Sequence, residues 1–107
     1  MLDDKHYSAL TESTYYILLA LYTPLHGYGI MQRVQKLTNN RITLAPGTLY
    51  GAIRTLLEKD WIRLHPSHTD NRKKEYQLTN TGQKVLRFEI KRLEELYHNG
   101  LKVVKED

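Results

Sequence analysis

Apolar residues recur along this chain at the spacing of helices in four stretches and of strands in two. The first stretch, residues 12–22, is apolar or aromatic on nearly every side, and Thr11 before it is a typical helix N-cap. A helix that is apolar all round must be buried on more than one side. We therefore expect one side of this helix in the core of the chain and the other against a second subunit.

Two short helices with a compact connection are predicted next. The first covers residues 28–37, and the second opens at Pro46-Gly47 and ends at Lys59-Asp60. One face of the second helix is apolar, while a neighbouring face has small, aromatic and basic residues. This arrangement is typical of a helix-turn-helix that presents its second helix to DNA. The predicted buried positions are Ile30, Met31, Val34 and Leu37 in the first helix, and Leu49, Ile53, Leu56 and Leu57 in the second.

Residues 61–66 and 74–79 alternate between apolar and polar positions and flank a polar, turn-rich segment. They predict a two-stranded hairpin with Ile62, Leu64, Tyr76 and Leu78 facing inward. A last helix is predicted over residues 81–104. Its near-heptad apolar stripe offers a seam for another helix and consists of Leu86, Ile90, Leu93, Tyr97, Leu101 and Val104.

The predicted fold is mostly α with a small β-hairpin: a winged helix-turn-helix followed by a long C-terminal dimerisation helix. In this interpretation residues 1–79 form the DNA-binding domain and residues 80–107 the dimerisation helix. A chain of 107 residues is long enough for one domain with one modest core.

Composition excludes several other classes. Hydrophobic residues make up 40% and charged residues 26%, which argues against disorder. Without cysteine the chain has no disulfide and no thiolate metal ligand. The longest apolar run, residues 17–22, is far shorter than the ~20 residues that span a bilayer. Residues 1–6 lack the apolar core of a secretion signal. We expect a cytoplasmic protein with no membrane contact.

No catalytic motif is visible, since the chain has no glycine-rich phosphate loop, nucleophile elbow or paired acidic motif. The pair His65 and His68 has a spacing that metal sites use, but no cysteine or carboxylate pair accompanies it. His26 and His98 are interpreted as a loop residue and a helix-surface residue. We predict neither an enzyme nor a bound metal or cofactor.

The distribution of charge is more informative than its sum. A formal net charge of +4 favours a polyanionic partner only weakly. Within residues 63–74, however, four basic residues accompany a single acidic residue. The excess therefore falls on the predicted hairpin, where it favours contact with a polyanion.

Three stretches of the chain resemble the PadR-type transcriptional regulators, in the short subclass with a single C-terminal helix. Residues 10–34 contain Pro-Leu-His-Gly-Tyr-Gly, residues 47–62 begin with Gly-Thr-Leu-Tyr, and residues 72–86 contain Tyr-x-Leu-Thr-x-x-Gly. The resemblance implies a winged helix-turn-helix that dimerises through its first and last helices. It also implies a repressor that binds an inverted-repeat operator in double-stranded DNA and releases it when a small, often aromatic, effector binds.

Three positions depart from the family pattern. The family usually has glycine where this chain has Asp60, and often proline where it has Gly51. Leu93 occupies the position at which some drug-binding members carry tryptophan, which argues against a drug pocket of that type.

DNA contacts are expected on the predicted recognition helix, at Gly47, Thr48, Tyr50 and Arg54. Free N–H groups at its N-terminus favour a phosphate, and the tyrosine and arginine can reach phosphate, sugar or a base edge. In the structural alternative, Tyr50 braces the wing and Arg54 pairs with Glu58.

Further contacts are expected from the wing, at His68, Arg72, Lys73 and Lys74, which can meet phosphates or the minor groove. A basic run of this kind is also common in loops that bind nothing. Tyr28, at the start of the preceding helix, is either a phosphate contact or an aromatic at the edge of the core.

A dimer interface that also encloses an effector cavity is expected from eight residues of the first and last helices. They are Tyr15, Leu18, Leu19, Tyr22, Leu86, Ile90, Leu93 and Tyr97. The same stripe is more often an ordinary core. Two functions therefore stay open: a homodimeric repressor, and a winged-helix module that binds protein. Salt-dependent binding to the DNA upstream of its own gene distinguishes them.

Overall fold

The computed structural model describes residues 8–66 and 74–104. Its elements, in chain order, are α1 (Glu12–Ala20), α2 (Gly27–Leu37), α3 (Pro46–Glu58), β1 (Ile62–Leu64), β2 (Tyr76–Leu78) and α4 (Asn80–Val103). This order confirms the predicted mostly-α fold with one hairpin and a long C-terminal helix. The strands are shorter than predicted, and each helix boundary lies within a few residues of its prediction.

Local chemistry explains where the helices begin and end. Thr11 caps α1 as predicted, because its side-chain oxygen accepts a hydrogen bond from the Thr14 N–H at 3.1 Å. Pro46 opens α3 at a position where a missing N–H removes no intrahelical bond. After the C-cap of α3 at Lys59, Asp60 adopts a φ of 60°, in the left-handed region. That conformation turns the chain from α3 into β1.

The core lies where α1 packs against α2 and α4, and where α2 packs against α3. Ile30 and Val34 of α2 are buried as predicted, as are three of the four predicted positions of α3. Leu37 and Leu57 contradict the prediction, since they are 51% and 38% exposed. Both lie in the last turn of their helix, where neighbouring elements no longer cover them.

The hairpin is antiparallel, with Ile62 opposite Leu78 and Leu64 opposite Tyr76. On its other side, β2 forms a bridge to Leu25, where two backbone hydrogen bonds of 2.9 and 3.1 Å join Leu25 and Tyr76. Ile62 is buried at the base of the hairpin. Leu64 is 48% exposed, so its predicted inward orientation is wrong. Leu64 lies on β1, the outer strand, whereas its cross-strand partner Tyr76 is buried on β2, which bridges to Leu25.

Thr79 joins the hairpin to α4. Its side-chain oxygen accepts a hydrogen bond from the Gly82 N–H at 3.0 Å and so caps α4. Its hydroxyl donates to the Asp60 carbonyl at 2.6 Å, and its N–H donates to the Trp61 carbonyl at 3.0 Å. One residue thus ties the base of the wing to the start of the last helix.

The far half of α4 extends beyond the core. Only residues of its first half are buried, namely Gly82, Val85, Leu86 and Glu89. The molecule is 56 Å along its longest axis. Among the helices in the described residues, none combines the length and the apolar character needed to span a bilayer.

Candidate nucleic-acid interface

The recognition helix α3 buries one face and exposes the other. Leu49, Ile53 and Leu56 are at most 3% exposed and attach it to the core. At its N-terminus, Ala45 supplies no side-chain cap, and Gly47 and Thr48 in the first turn are exposed. An uncapped helix N-terminus with exposed N–H groups favours an anion such as a phosphate.

Arg54 lies one turn beyond Tyr50 on α3, and both side chains are exposed. The structure contains no ion pair between Arg54 and Glu58, so it does not support that alternative. Within residues 8–66 and 74–104, no carboxylate lies within ion-pair distance of the Arg54 guanidinium. The arginine is therefore free of competing ionic partners in this part of the chain.

Tyr50 is 47% exposed, yet its ring also contacts the neighbouring elements. Its ring edge and hydroxyl lie against Gly27 at the start of α2. It is also close to Tyr76 of β2, whose pKa is raised by burial and, to a smaller extent, by the neighbouring Tyr50. The bracing role and the partial exposure of Tyr50 are thus compatible.

The start of α2 contains one functional group that the sequence interpretation missed. His26, interpreted as a loop residue, is the N-cap of α2, and its Nδ1 accepts a hydrogen bond from the Gly29 N–H at 3.1 Å. Tyr28 in the first turn is 61% exposed and is therefore a surface residue. Histidine is an uncommon cap, so the residue type alone gave little signal.

The described part of the wing presents two basic residues. Lys74 is exposed just before β2, whereas the predicted contacts His68, Arg72 and Lys73 lie outside the described residues. Arg63 of β1 is also exposed, opposite Gln77. With the Gln77 amide oriented to satisfy both groups, its oxygen accepts from Arg63 Nη2 and Nε at 2.9 and 3.0 Å. Arg63 lies between the predicted inward positions Ile62 and Leu64, but it was not among the expected DNA contacts.

The predicted interface residues fall into three groups. Leu18 and Leu86 are completely buried in the core of their own chain, so their assignment to an interface with another molecule is corrected. Four others are substantially exposed, namely Tyr22, Ile90, Leu93 and Tyr97, while Tyr15 and Leu19 are partly buried. Exposed apolar residues continue along α4 at Leu96, Leu101, Val103 and Val104.

Comparison with known proteins decides the family. The model of the transcriptional regulator PadR-like family matches residues 17–88, which include the end of α1, all of α2 and α3, the hairpin and the first part of α4. The chain belongs to the PadR-like family of transcriptional regulators.

Two solved structures have the same fold as this PadR-like chain. A PadR family transcription regulator from Clostridium difficile gives a TM-score of 0.71 at 22% identity, covering 86% of this chain and 97% of that one. A transcriptional regulator from Clostridium thermocellum gives 0.70 at 22% identity, covering 88% and 93%. Both support a winged helix followed by a long C-terminal helix.

One curated relative is similar in sequence, an uncharacterized 37.1 kDa protein in transposon TN4556 of Streptomyces fradiae. It is 36% identical over 66 residues, which is 62% of this PadR-like chain. The match spans only 18% of the length of that relative.

A surface pocket of about 330 Å³ lies between α1 and α4 of this PadR-like regulator. Two predicted effector-site residues, Tyr15 and Leu93, line it, together with Leu10, Glu12, Tyr16, Glu89 and Arg92. Glu89 is 5% exposed and accepts hydrogen bonds from Arg92 Nε and Nη2 at 2.9 and 2.6 Å. These bonds lower the pKa of Glu89, so the wall of the pocket carries a carboxylate–guanidinium pair. The sequence analysis considered only the apolar stripe of this helix and so did not reveal the pair.

Proposed function

We propose that this PadR-like chain is a homodimeric repressor that binds an inverted-repeat operator through α3 and the wing. The observation that carries the proposal is the exposed Arg54 on the outer side of α3, which has no ionic partner in the described ranges. A guanidinium that is not engaged within its own chain is available to a base edge or a phosphate. Thr48 and Tyr50 lie on the same helix, where they would contact the DNA backbone.

Positive charge in the wing supports the same proposal. Lys74 and Arg63 are exposed in its described part. The sequence adds Arg72 and Lys73, together with His68, between the two strands. Basic side chains next to a recognition helix favour phosphate binding, which weakens steeply with salt because counterions are released.

The exposed apolar residues of α4 support a second copy of the chain as partner. Contiguous apolar surface of this kind is uncommon on monomers and typically marks an interaction site. In this proposal residues 80–107 form the dimerisation helix and residues 1–79 the DNA-binding domain. The dimer would place two copies of α3 about 34 Å apart, in successive major grooves.

The proposed effector is a small aromatic molecule that binds between α1 and α4. Tyr15 and Leu93 would contact its ring, and the Glu89–Arg92 pair would be the nearest charged group. Because α4 would also hold the second subunit, a molecule bound there would change the spacing of the two recognition helices and so release the operator.

The DNA-binding proposal is tested by fluorescence anisotropy with duplex DNA from upstream of the protein's own gene, at several salt concentrations. Arg54→Ala is expected to weaken binding by about 1–3 kcal/mol if the guanidinium reads a base. Arg87→Ala is the matched control, because Arg87 is also exposed but lies on α4. Equal affinities for the two variants would refute the assignment of Arg54.

The wing is tested by replacing Arg72, Lys73 and Lys74 together with alanine. The slope of log affinity against log salt is expected to fall by about one for each phosphate that the wing no longer neutralises. Replacing Lys84, Arg87 and Lys91 of α4 with alanine removes the same charge from another surface and should leave the slope unchanged. If wild-type protein shows no salt-dependent DNA binding, the protein-binding alternative is favoured instead.

Dimerisation and release by an effector have separate tests. Leu93→Glu is expected to shift the protein to a monomer in sedimentation equilibrium, because a carboxylate would enter an apolar interface. Lys91→Glu introduces the same side chain at a nearby exposed position of α4 and is the control.

Release by an effector is tested by adding to the DNA complex aromatic compounds that bind the dimer. A compound that binds without changing operator affinity would contradict the release mechanism.

A further inference from the structure

Gly27 begins α2 and is buried, although its neighbour Tyr28 is exposed. Glycine is a poor residue for a helix, and its usual justification is a backbone conformation with positive φ. That justification does not apply here, because no glycine in the described ranges has a positive φ. The need for glycine at this position must therefore come from the space around its Cα atom.

The side chain of Tyr50 occupies that space. A Cβ atom built on Gly27 would lie 2.2 Å from Tyr50 Oη, 2.7 Å from Cζ and 3.1 Å from Cε1. Any other residue at position 27 would therefore displace the tyrosine ring. The same ring lies near Tyr76, which is itself joined by backbone hydrogen bonds to Leu25, two residues before Gly27. Tyr50 is thus a side chain of α3 that both contacts the start of α2 and lies near β2 of the wing.

The Tyr50 hydroxyl forms no hydrogen bond with the described part of the chain, and the side chain is 47% exposed. The atoms that a Cβ at position 27 would meet belong to the end of a flexible side chain, so rotation of Tyr50 can relieve the overlap without a shift of the backbone. A residue other than glycine at position 27 is therefore expected to change the position of Tyr50 more than the stability of the fold, and the exposed part of Tyr50 remains available to contacts outside the chain.

We infer that Gly27 is a positioning residue for DNA binding, which holds the Tyr50 hydroxyl beside the start of α2, where it faces the DNA backbone. This inference rests on the proposed DNA-binding function. It distinguishes Gly27 from Gly82, where an added Cβ would meet the Trp61 carbonyl oxygen at 2.1 Å. A backbone atom cannot rotate away, so Gly82 is required for folding, whereas Gly27 is required for the placement of one side chain.

The test compares Gly27→Ala, Tyr50→Ala and the double variant in the anisotropy assay with the upstream duplex, alongside thermal unfolding. Gly27→Ala is expected to melt within a few degrees of wild type and to bind the duplex at least tenfold more weakly. In the Tyr50→Ala background, the same change is expected to have no further effect on binding. Gly100→Ala is the control for the glycine-to-alanine change itself, because a Cβ there meets no atom within 4 Å.

Three outcomes would overturn the inference. The first is an unchanged DNA affinity of Gly27→Ala. The second is an equal loss of DNA affinity from Gly27→Ala in the wild-type and Tyr50→Ala backgrounds, and the third is a double variant that fails to fold. If only the single variant fails to fold, rescue by Tyr50→Ala supports the contact.

Nitration by tetranitromethane, followed by peptide mass spectrometry, provides a readout that does not depend on DNA. Gly27→Ala should increase nitration at Tyr50 at least twofold without changing the remote Tyr97. If wild-type protein binds no DNA, the proposed function fails while this measurement still reports on the contact; unchanged nitration would overturn the positional argument.

Discussion

Asp60→Gly is expected to stabilise the protein although it removes a charged side chain. Asp60 has a φ of 60°, a conformation that costs most L-residues about 1–2 kcal/mol and aspartate somewhat less. In the described ranges its side chain makes no hydrogen bond or ion pair. The hydrogen bond that it accepts from Thr79 ends on its backbone carbonyl, which glycine retains.

Two effects contribute to the expected gain. Relief of the left-handed conformation is partly offset by the greater flexibility of glycine in the unfolded chain, which costs about 0.5–1 kcal/mol. The carboxylate also follows the C-terminus of α3, where a negative charge is unfavourable by roughly 0.3–1 kcal/mol. The sum is a gain of about 1 kcal/mol, or about 4–8 °C in melting temperature for a domain of this size.

Thermal unfolding of a small series separates the two effects. Asp60→Asn removes the charge but keeps a residue that tolerates positive φ, so it should gain only the smaller electrostatic part. Asp60→Ala removes the charge without tolerating the conformation and should lie below Asp60→Asn. All variants are compared at one protein concentration, because self-association makes the midpoint concentration-dependent. If glycine is less stable than aspartate, or equal to alanine, the reasoning from φ is refuted.

Three further predictions concern stability and are checked by urea unfolding. Gly82→Ala should destabilise the protein by about 2–3 kcal/mol, because its Cβ would meet the Trp61 carbonyl oxygen. Gly100→Ala adds a Cβ in open space and should stabilise the protein by up to about 1 kcal/mol. A small effect at Gly82 would contradict the close approach of Gly82 to the Trp61 carbonyl. His26→Ala should lower the free energy of unfolding by about 1 kcal/mol because it removes the cap of α2, and His26→Ser should restore most of that loss. Equal stabilities of wild type and His26→Ala would show that the cap does not stabilise the protein. Because hydrogen bonds from Arg92 lower the folded-state pKa of Glu89 below its ordinary 4.5, this carboxylate stabilises the protein above that pH, and the contribution disappears as the pH falls through the lowered pKa. Glu89→Gln should therefore be less stable than wild type at pH 7 and approach it in acid; a pH-independent difference would argue against the ionised pair.

The sequence predicts helices and caps well in this chain because those signals are local. Thr11 and Pro46 each specify a helix start through their own chemistry, and both are found where predicted. Leu64 and Leu37 show where such signals fail. Their spacing matches the buried stripe, but burial depends on whether another element extends far enough to cover them, which no local pattern specifies.

The candidate site was predictable to a similar extent. The placement of Tyr50 and Arg54 on an exposed part of α3 follows from helical spacing alone. The role of His26 as a cap and the burial of Glu89 depend on neighbours distant in sequence or on an unusual residue type. The contact between Gly27 and Tyr50 joins residues of two helices and is invisible without the fold.

The attachment of α4 through Thr79 and Gly82 makes that helix a mechanical lever. From Gly82 to Val103 the helix rises by about 32 Å, at 1.5 Å per residue, so a tilt of roughly 5° at its base displaces the far end by about 3 Å. In the other direction, the lever reduces motion: a partner that shifts the far end by 3 Å rotates the base of the wing by only about 5°. Tight packing of Gly82 against Trp61 would pass this rotation of α4 on to the wing, whereas a looser junction would let α4 move without the wing. If the proposed partner and effector act through α4, the junction at Thr79 and Gly82 would determine how much of their movement reaches the wing.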